Sequence, residues 1–97
     1  MDEAEEFCRK LIGKPVGDFS LDDRHRVAFA LGYFPADLSA YLWDTYGLPI
    51  VDQYIRCRER GLRIDWLGFQ YEMAKRGADV SGQVSEGKRL QELIEKK

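Results

Sequence analysis

The stretch that decides the fold is residues 47–77, which read GLPIVDQYIRCRERGLRIDWLGFQYEMAKRG. Three of its four glycines, Gly47, Gly61 and Gly77, are spaced nearly evenly, and an apolar residue follows each of the three. A glycine just past the last turn of a helix takes the left-handed conformation that caps the final carbonyl groups, and the next apolar residue packs back onto the helix. Together with Gly32, these glycines lie 15, 14 and 16 residues apart. The spacing predicts helices of three to four turns joined by tight turns.

Prolines and capping residues mark where the predicted helices begin. Pro35 and Pro49 each suit the first turn of a helix and disfavour continuation of the preceding one. Ser20 with Asp23 three residues later resembles a capping box, and Asp65 is a predicted cap of a later helix. Combined with the apolar periodicity, these signals predict helices over residues 3–12, 20–33, 36–46, 49–60, 65–76 and 85–96.

The predicted fold class is all-α, a compact bundle of five to six short helices joined by tight Gly/Pro turns. A chain of 97 residues can bury enough surface for one core without a disulfide or a structural metal. The even glycine spacing could also indicate a helical repeat. Solenoid repeats have periods of about 33 to 47 residues with shared packing positions. No such shared positions are recognisable, so a compact bundle is the preferred prediction.

The chain is predicted to divide near residue 80. Residues 1–80 would form a single helical domain, and residues 81–97 would form the end of a linker plus a C-terminal helix that could be peripheral. The linker itself is predicted over residues 79–83, where small and polar residues concentrate. The last helix offers few apolar residues to a core; they are Leu90, Leu93 and Ile94.

The composition predicts a small acidic protein of the cytoplasm. The formal net charge of −2 divides into −4 over residues 1–49 and +2 over residues 50–97. This imbalance is too small to point to nucleic acid or a membrane as the partner. The acidic N-terminus does not resemble a signal peptide, and no apolar stretch reaches the roughly 18 residues of a membrane span. Cys8 and Cys57 have neither zinc-ligand spacing nor the pattern of a disulfide framework, so both are predicted core residues.

Groups that could support catalysis are sparse. Asp18, Asp22, Asp23 and His25 lie within eight residues and could in principle hold a divalent cation. Acidic residues are, however, favoured in the first turn of a helix, which is the simpler explanation. Ser20 and His25 lack the glycine-flanked turn of a hydrolase nucleophile, and a phosphate-binding loop is absent from the sequence. The prediction is a protein that is not an enzyme and that has no metal or cofactor.

The densest charge feature is a group of arginines. Arg56, Arg60 and Arg63 fall at i, i+4 and i+7 and would share one helix face if the turn at Gly61 is tight. Such a ridge could contact phosphates or an acidic protein surface. The simpler interpretation is a solvated face that pairs with the acidic N-terminal half. A helix-turn-helix is disfavoured, because the second helix would begin with Trp66 and other apolar residues rather than polar ones.

The predicted fifth helix has an unusually wide apolar face, about 200° of its circumference. Trp66, Phe69 and Met73 belong to this face, which is wider than one neighbouring helix covers. The helix is therefore either central in the bundle or in contact with another chain. Gln70 lies near the middle of the same face, so its amide requires partners in a buried network or at an interface. The predicted partner-binding residues are Arg56, Arg60, Arg63, Trp66 and Gln70.

By elimination, the predicted function is a non-enzymatic protein-protein interaction module, an adaptor, regulator or inhibitor of a larger machine. Its partner would be another protein or a second copy in a homodimer. The alternative is a DNA- or RNA-associated regulator that uses the ridge of Arg56, Arg60 and Arg63. An enzyme ranks third.

Overall fold

The computed structural model describes residues 3–96, and these form six α-helices. The helices are α1 (Glu3–Ile12), α2 (Leu21–Ala30), α3 (Ala36–Tyr46), α4 (Ile50–Glu59), α5 (Trp66–Lys75) and α6 (Ser81–Glu95). A short 3-10 turn, Val16–Asp18, lies between α1 and α2, and two-residue strands are β1 (Tyr33–Phe34) and β2 (Arg63–Ile64). The described chain is 73% helical, so the predicted all-α class is confirmed. Among residues 3–96, no helix combines the length and apolar character needed to cross a membrane.

The predicted caps define several helix ends. The backbone N–H of Asp23 donates to Ser20 Oγ at 3.1 Å, and the backbone N–H of Ser20 donates to Asp23 Oδ2 at 2.9 Å. This reciprocal capping box begins α2. Asp65 caps α5 by accepting a hydrogen bond from the backbone N–H of Gly68 at 2.9 Å. Gly47 ends α3 in the left-handed conformation, with φ of 65°.

Two short strands interrupt the helical pattern and pair in parallel, with Tyr33 opposite Arg63 and Phe34 opposite Ile64. The sequence predicts no strand, and it extends α2 to residue 33, whereas α2 ends at Ala30. Two residues are too few to show strand periodicity, and their pairing depends on contacts 30 residues apart. The units α2-β1-α3 and α4-β2-α5 have the same element order.

The core lies where the helix pair α3 and α5 meets the pair α4 and α6. Its fully buried side chains include Ile50 of α4 and both Phe69 and Met73 of α5. α3 and α5 approach closely because Gly68 has no side chain: a Cβ there would lie 2.7 Å from the Cβ of Ala36. The molecule measures 37 × 35 × 21 Å, and the short dimension matches two layers of helices, each about 10 Å thick.

The C-terminal helix α6 begins at Ser81 rather than at residue 85, so residues predicted to belong to a linker are helical. Asp79 Oδ1 accepts a hydrogen bond from the backbone N–H of Ser81 at 3.0 Å and so fixes the entry to the helix. Val80 and Val84 are buried, with 1% and 3% of their surface exposed. α6 thus packs on α4 and α5 instead of standing apart as a peripheral element.

Candidate functional site

A cavity of about 260 Å³ opens beside α4, at the junction of α3, α4 and the segments that flank them. We call it the α3–α4 cavity. Each wall comes from a different element, namely β1, α3, the turn between α3 and α4, α4 itself, and the turn that follows α4. The apolar lining consists of Phe34, Leu42, Leu48, Cys57 and Leu62, and the polar lining consists of Gln53, Arg56 and Arg60.

Gln53 is a buried amide in the lining of this cavity, with 2% of its surface exposed. Its Nε2 donates to the backbone carbonyl oxygens of Ser39 and Leu48, both at 3.1 Å. Its Oε1 has no hydrogen-bond partner among residues 3–96, and neither has the buried Ser39 Oγ. A buried acceptor without a donor costs free energy in the folded chain.

Arg56 and Arg60 form the rim, because both line the cavity and both are exposed. They lie one turn apart, and Arg60 Nη1 donates to the backbone carbonyl of Arg56 at 3.2 Å. Within the described range, neither guanidinium lies within 4.0 Å of a carboxylate. Their positive charges suit the C-terminal end of α4, where the helix dipole is negative. Asp52 and Glu59 lie beside the two arginines in an adjoining depression, whereas the charged side chains that line the α3–α4 cavity itself are these two arginines.

Cys57 contributes a neutral wall rather than a reactive group. Burial raises the pKa of its thiol, and the positive charge of Arg60 opposes this effect only in part. The thiol is protonated at neutral pH and acts as a small apolar group. Cys57 is buried, as predicted for a core residue, whereas Cys8 on α1 is only half-buried.

Arg63 does not continue the predicted ridge. α4 ends at Glu59, and the backbone N–H of Leu62 turns back to the carbonyl of Cys57 at 2.8 Å. Arg63 consequently lies in β2, where its guanidinium carbon is 5.9 Å from the centre of the Tyr33 ring. It lines a separate depression together with Arg58. The i, i+4, i+7 relation fails because the helix stops before its third member.

The structure places Trp66 in the core. Only 8% of its surface is exposed, and its ring lies 5.9 Å from that of Tyr54. The indole N–H donates to Gln91 Oε1 of α6 at 2.9 Å. A Cβ on Gly87 would overlap the same indole ring. Trp66 is thus one of the residues on which α6 packs.

The buried amide is on α4 rather than on α5. Gln70 is only half-buried, and its amide makes no hydrogen bond within residues 3–96. Gln53 occupies the buried position instead, and the sequence does carry a signal for it. Ile50, Gln53, Tyr54 and Cys57 follow the i, i+3, i+4, i+7 spacing of the inner face of α4, so Gln53 is a polar residue on an apolar stripe.

Residues of the acidic cluster near the start of α2 make contacts that stabilise the fold. Asp23 caps the helix and pairs with Lys14 Nζ at 2.7 Å. His25 Nε2 lies 2.7 Å from Asp37 Oδ2 on α3. Over residues 3–96, no group of three or more His, Cys, Asp or Glu side chains is arranged to hold a metal ion.

No protein-family model, curated protein or solved structure matches this chain. The α3–α4 cavity and its charged rim are therefore the features from which a function can be inferred.

Proposed function

We propose that this chain is a non-enzymatic protein-interaction module and that it binds its partner at the α3–α4 cavity. One observation carries the proposal: an apolar cavity of about 260 Å³ has two exposed arginines, Arg56 and Arg60, without carboxylate partners among the described residues, at its rim. An apolar centre surrounded by charged groups is the usual arrangement of a small protein-binding hot spot.

The size of the cavity favours a protein partner over a small molecule. Binding pockets for small molecules and cofactors occupy about 300 to 1,000 Å³, and this cavity is smaller than that range. It can accept one large side chain of a partner, with neighbouring contacts on the surrounding surface. Such anchoring side chains contribute most of the binding free energy in many interfaces.

The chemistry of the lining also favours binding over catalysis. A general acid or base must lie within hydrogen-bond reach of a reacting group, and the lining offers an amide, a neutral thiol and two guanidinium groups. Guanidinium groups remain protonated and recognise carboxylates and phosphates by paired hydrogen bonds. The residues of the cavity are therefore suited to hold an anionic partner rather than to transfer its protons.

The experiment is affinity capture from a lysate of the organism that encodes the chain, at two salt concentrations. The wild-type protein is compared with the double variant Arg56→Glu/Arg60→Glu and with the control Arg58→Glu, which changes the same helix away from the cavity. We expect a captured protein that the double variant loses and the control retains. Identical captured proteins for all three chains would contradict the proposal. A homodimer would appear instead as a concentration-dependent mass in light scattering.

The alternative proposal is a DNA- or RNA-associated regulator, and the observation in its favour is that Arg56, Arg58, Arg60 and Arg63 are all exposed. The division of these arginines between two depressions weakens it, since phosphate contacts require a continuous positive surface. Fluorescence anisotropy with labelled oligonucleotides tests it directly. If the wild-type protein binds neither DNA nor RNA at low salt, this alternative is eliminated.

A further inference from the structure

We propose that the α3–α4 cavity binds an acidic segment of a partner protein that inserts one large apolar side chain between two carboxylates. This inference rests on the proposed function and specifies the chemistry of the partner. It is drawn from the size of the cavity and from the charge of its rim.

The anchor must be a single large side chain. The cavity holds about 260 Å³ and is lined by carbon-rich groups of Phe34, Leu42, Leu48 and Leu62. Aromatic side chains bring the largest apolar area to such a pocket for the fewest rotatable bonds. Beside Phe34, the ring of Phe29 lies at a centroid distance of 6.1 Å in an edge-on arrangement and is 43% exposed. It extends the apolar surface outside the cavity, where residues next to the anchor can pack.

The flanking residues must be acidic. Arg56 and Arg60 are separated by one helical turn, which places their Cβ atoms about 6 Å apart. In a helical segment, two carboxylates at positions i and i+4 lie at a matching distance and on the same side as an anchor at i+3. In an extended segment, by contrast, an anchor between carboxylates at i and i+2 would point to the opposite side of the chain. Each carboxylate can accept two parallel hydrogen bonds from a guanidinium group. A basic segment would be repelled at the same place.

A displayed library of random 12-residue peptides tests the inference, because selection from such a library does not require the identity of the partner. Peptides are selected on the chain of residues 1–97 and counter-selected on its Arg56→Glu/Arg60→Glu variant. We expect enrichment of sequences with one aromatic or leucine anchor and at least two Asp or Glu residues within four positions of it. Circular dichroism and a thermal melt first establish that the double variant is folded like the wild type.

The strongest selected peptide is then synthesised with a fluorescent label and titrated by anisotropy. We expect the double variant to weaken its binding by at least about tenfold, because two charge-assisted hydrogen-bonded pairs are lost. Replacement of the anchor by alanine should cause a similar loss. Arg58→Glu should leave the affinity within about twofold, and added salt should weaken the wild-type complex.

The inference fails if the selected peptides are neutral or basic, if they bind both proteins equally, or if no peptide is enriched. It also fails if an unrelated oligonucleotide displaces the peptide with higher affinity than the peptide itself, since the rim would then be a phosphate site. Its failure is distinguishable from failure of the proposed function. A captured protein that requires Arg56 and Arg60 but binds through a segment without acidic residues would leave the interaction module intact and remove only the acidic partner.

Discussion

Trp66 connects three helices, and it does so with both its ring and its indole N–H. The ring packs on Tyr54 of α4 and on Gly87 of α6, while the N–H donates to Gln91. A side chain with these contacts contributes through buried area and through one hydrogen bond whose donor would otherwise be buried without an acceptor.

We expect Trp66→Ala to lower the free energy of unfolding by about 3–5 kcal/mol, because it leaves a large cavity in the core. Stabilities of domains are about 5–15 kcal/mol, so the variant should be largely unfolded or molten. Urea denaturation followed by circular dichroism measures the change. Leu67→Ala is the matched control, since Leu67 is the next residue and is 76% exposed. It should shift stability by no more than about 0.5 kcal/mol. A stable, cooperatively folding Trp66→Ala protein would contradict the role assigned to the ring.

Asp23 is expected to make the free energy of unfolding depend on pH in the acidic range. Its pKa is lowered from 3.8 to about 2, first by the hydrogen bond from Lys14 and then by the backbone N–H of Ser20. A carboxyl group with a lowered pKa in the folded state stabilises the protein above its unfolded pKa, and this contribution is lost as the pH falls through the folded pKa. We expect the urea midpoint of the wild type to fall between about pH 5 and pH 2.

Asp23→Asn should remove part of that fall, because the amide does not titrate. Asp22→Asn changes the neighbouring, exposed carboxylate in the same turn and should retain the pH dependence of the wild type. Urea midpoints of the three proteins at several pH values provide the comparison. Parallel curves for the wild type and Asp23→Asn would show that the capping carboxylate does not control acid stability.

At the scale of elements, the position of α6 depends on a glycine within the helix that helix propensity alone disfavours. Gly87 lies inside α6, where alanine would be favoured by about 1 kcal/mol on helix propensity alone. A Cβ at this position would, however, overlap the Trp66 ring. Gly82 of the same helix has open space around it. Alanine substitutions at the two glycines therefore distinguish the effect of helix propensity on stability from the effect of packing.

We expect Gly87→Ala to destabilise the protein by about 1–3 kcal/mol, since the added methyl group forces the indole or the helix to move. Gly82→Ala should instead leave stability unchanged or raise it by up to about 1 kcal/mol. Thermal melts of the two variants measure both changes in stability. If both substitutions were stabilising, α6 would not be docked on Trp66 as the structure places it.

The elements that could be predicted from sequence are those with local signals. Gly47 ends α3 and Asp65 caps α5 because both act within a few residues of their own position. β1 and β2 could not be predicted, since their pairing depends on the approach of segments 30 residues apart. The same pairing places Arg63 in β2, away from Arg56 and Arg60. The prediction that the three arginines share one helix face was therefore wrong for Arg63. Gln53 was detectable from its place on the apolar stripe of α4, but its unpaired oxygen is visible only in three dimensions.

At the scale of the whole molecule, the structure has one continuous core rather than a domain with an appended helix. The buried cluster runs from Ala40 of α3 through Phe69 of α5 to Val84 of α6. The side chains that α6 covers, Tyr54 and Trp66, are themselves central to the cluster. Removal of α6 would expose both rings to water at once, at a cost of roughly 25 cal/mol for each Å² uncovered.

We therefore expect a chain truncated after Val80 to lose cooperative folding, although residues 1–80 carry five of the six helices in the described structure. The uncovered aromatic surface and the lost Trp66–Gln91 hydrogen bond together remove several kcal/mol from a domain with a reserve of about 5–15 kcal/mol. Near-ultraviolet circular dichroism and amide dispersion in a two-dimensional NMR spectrum report the outcome. Leu93→Ser in the full chain is the control, because Leu93 is 61% exposed and its substitution should leave the fold intact. A truncated chain with native dispersion and a sharp thermal transition would instead establish residues 1–80 as an independent domain, with α6 free to bind elsewhere.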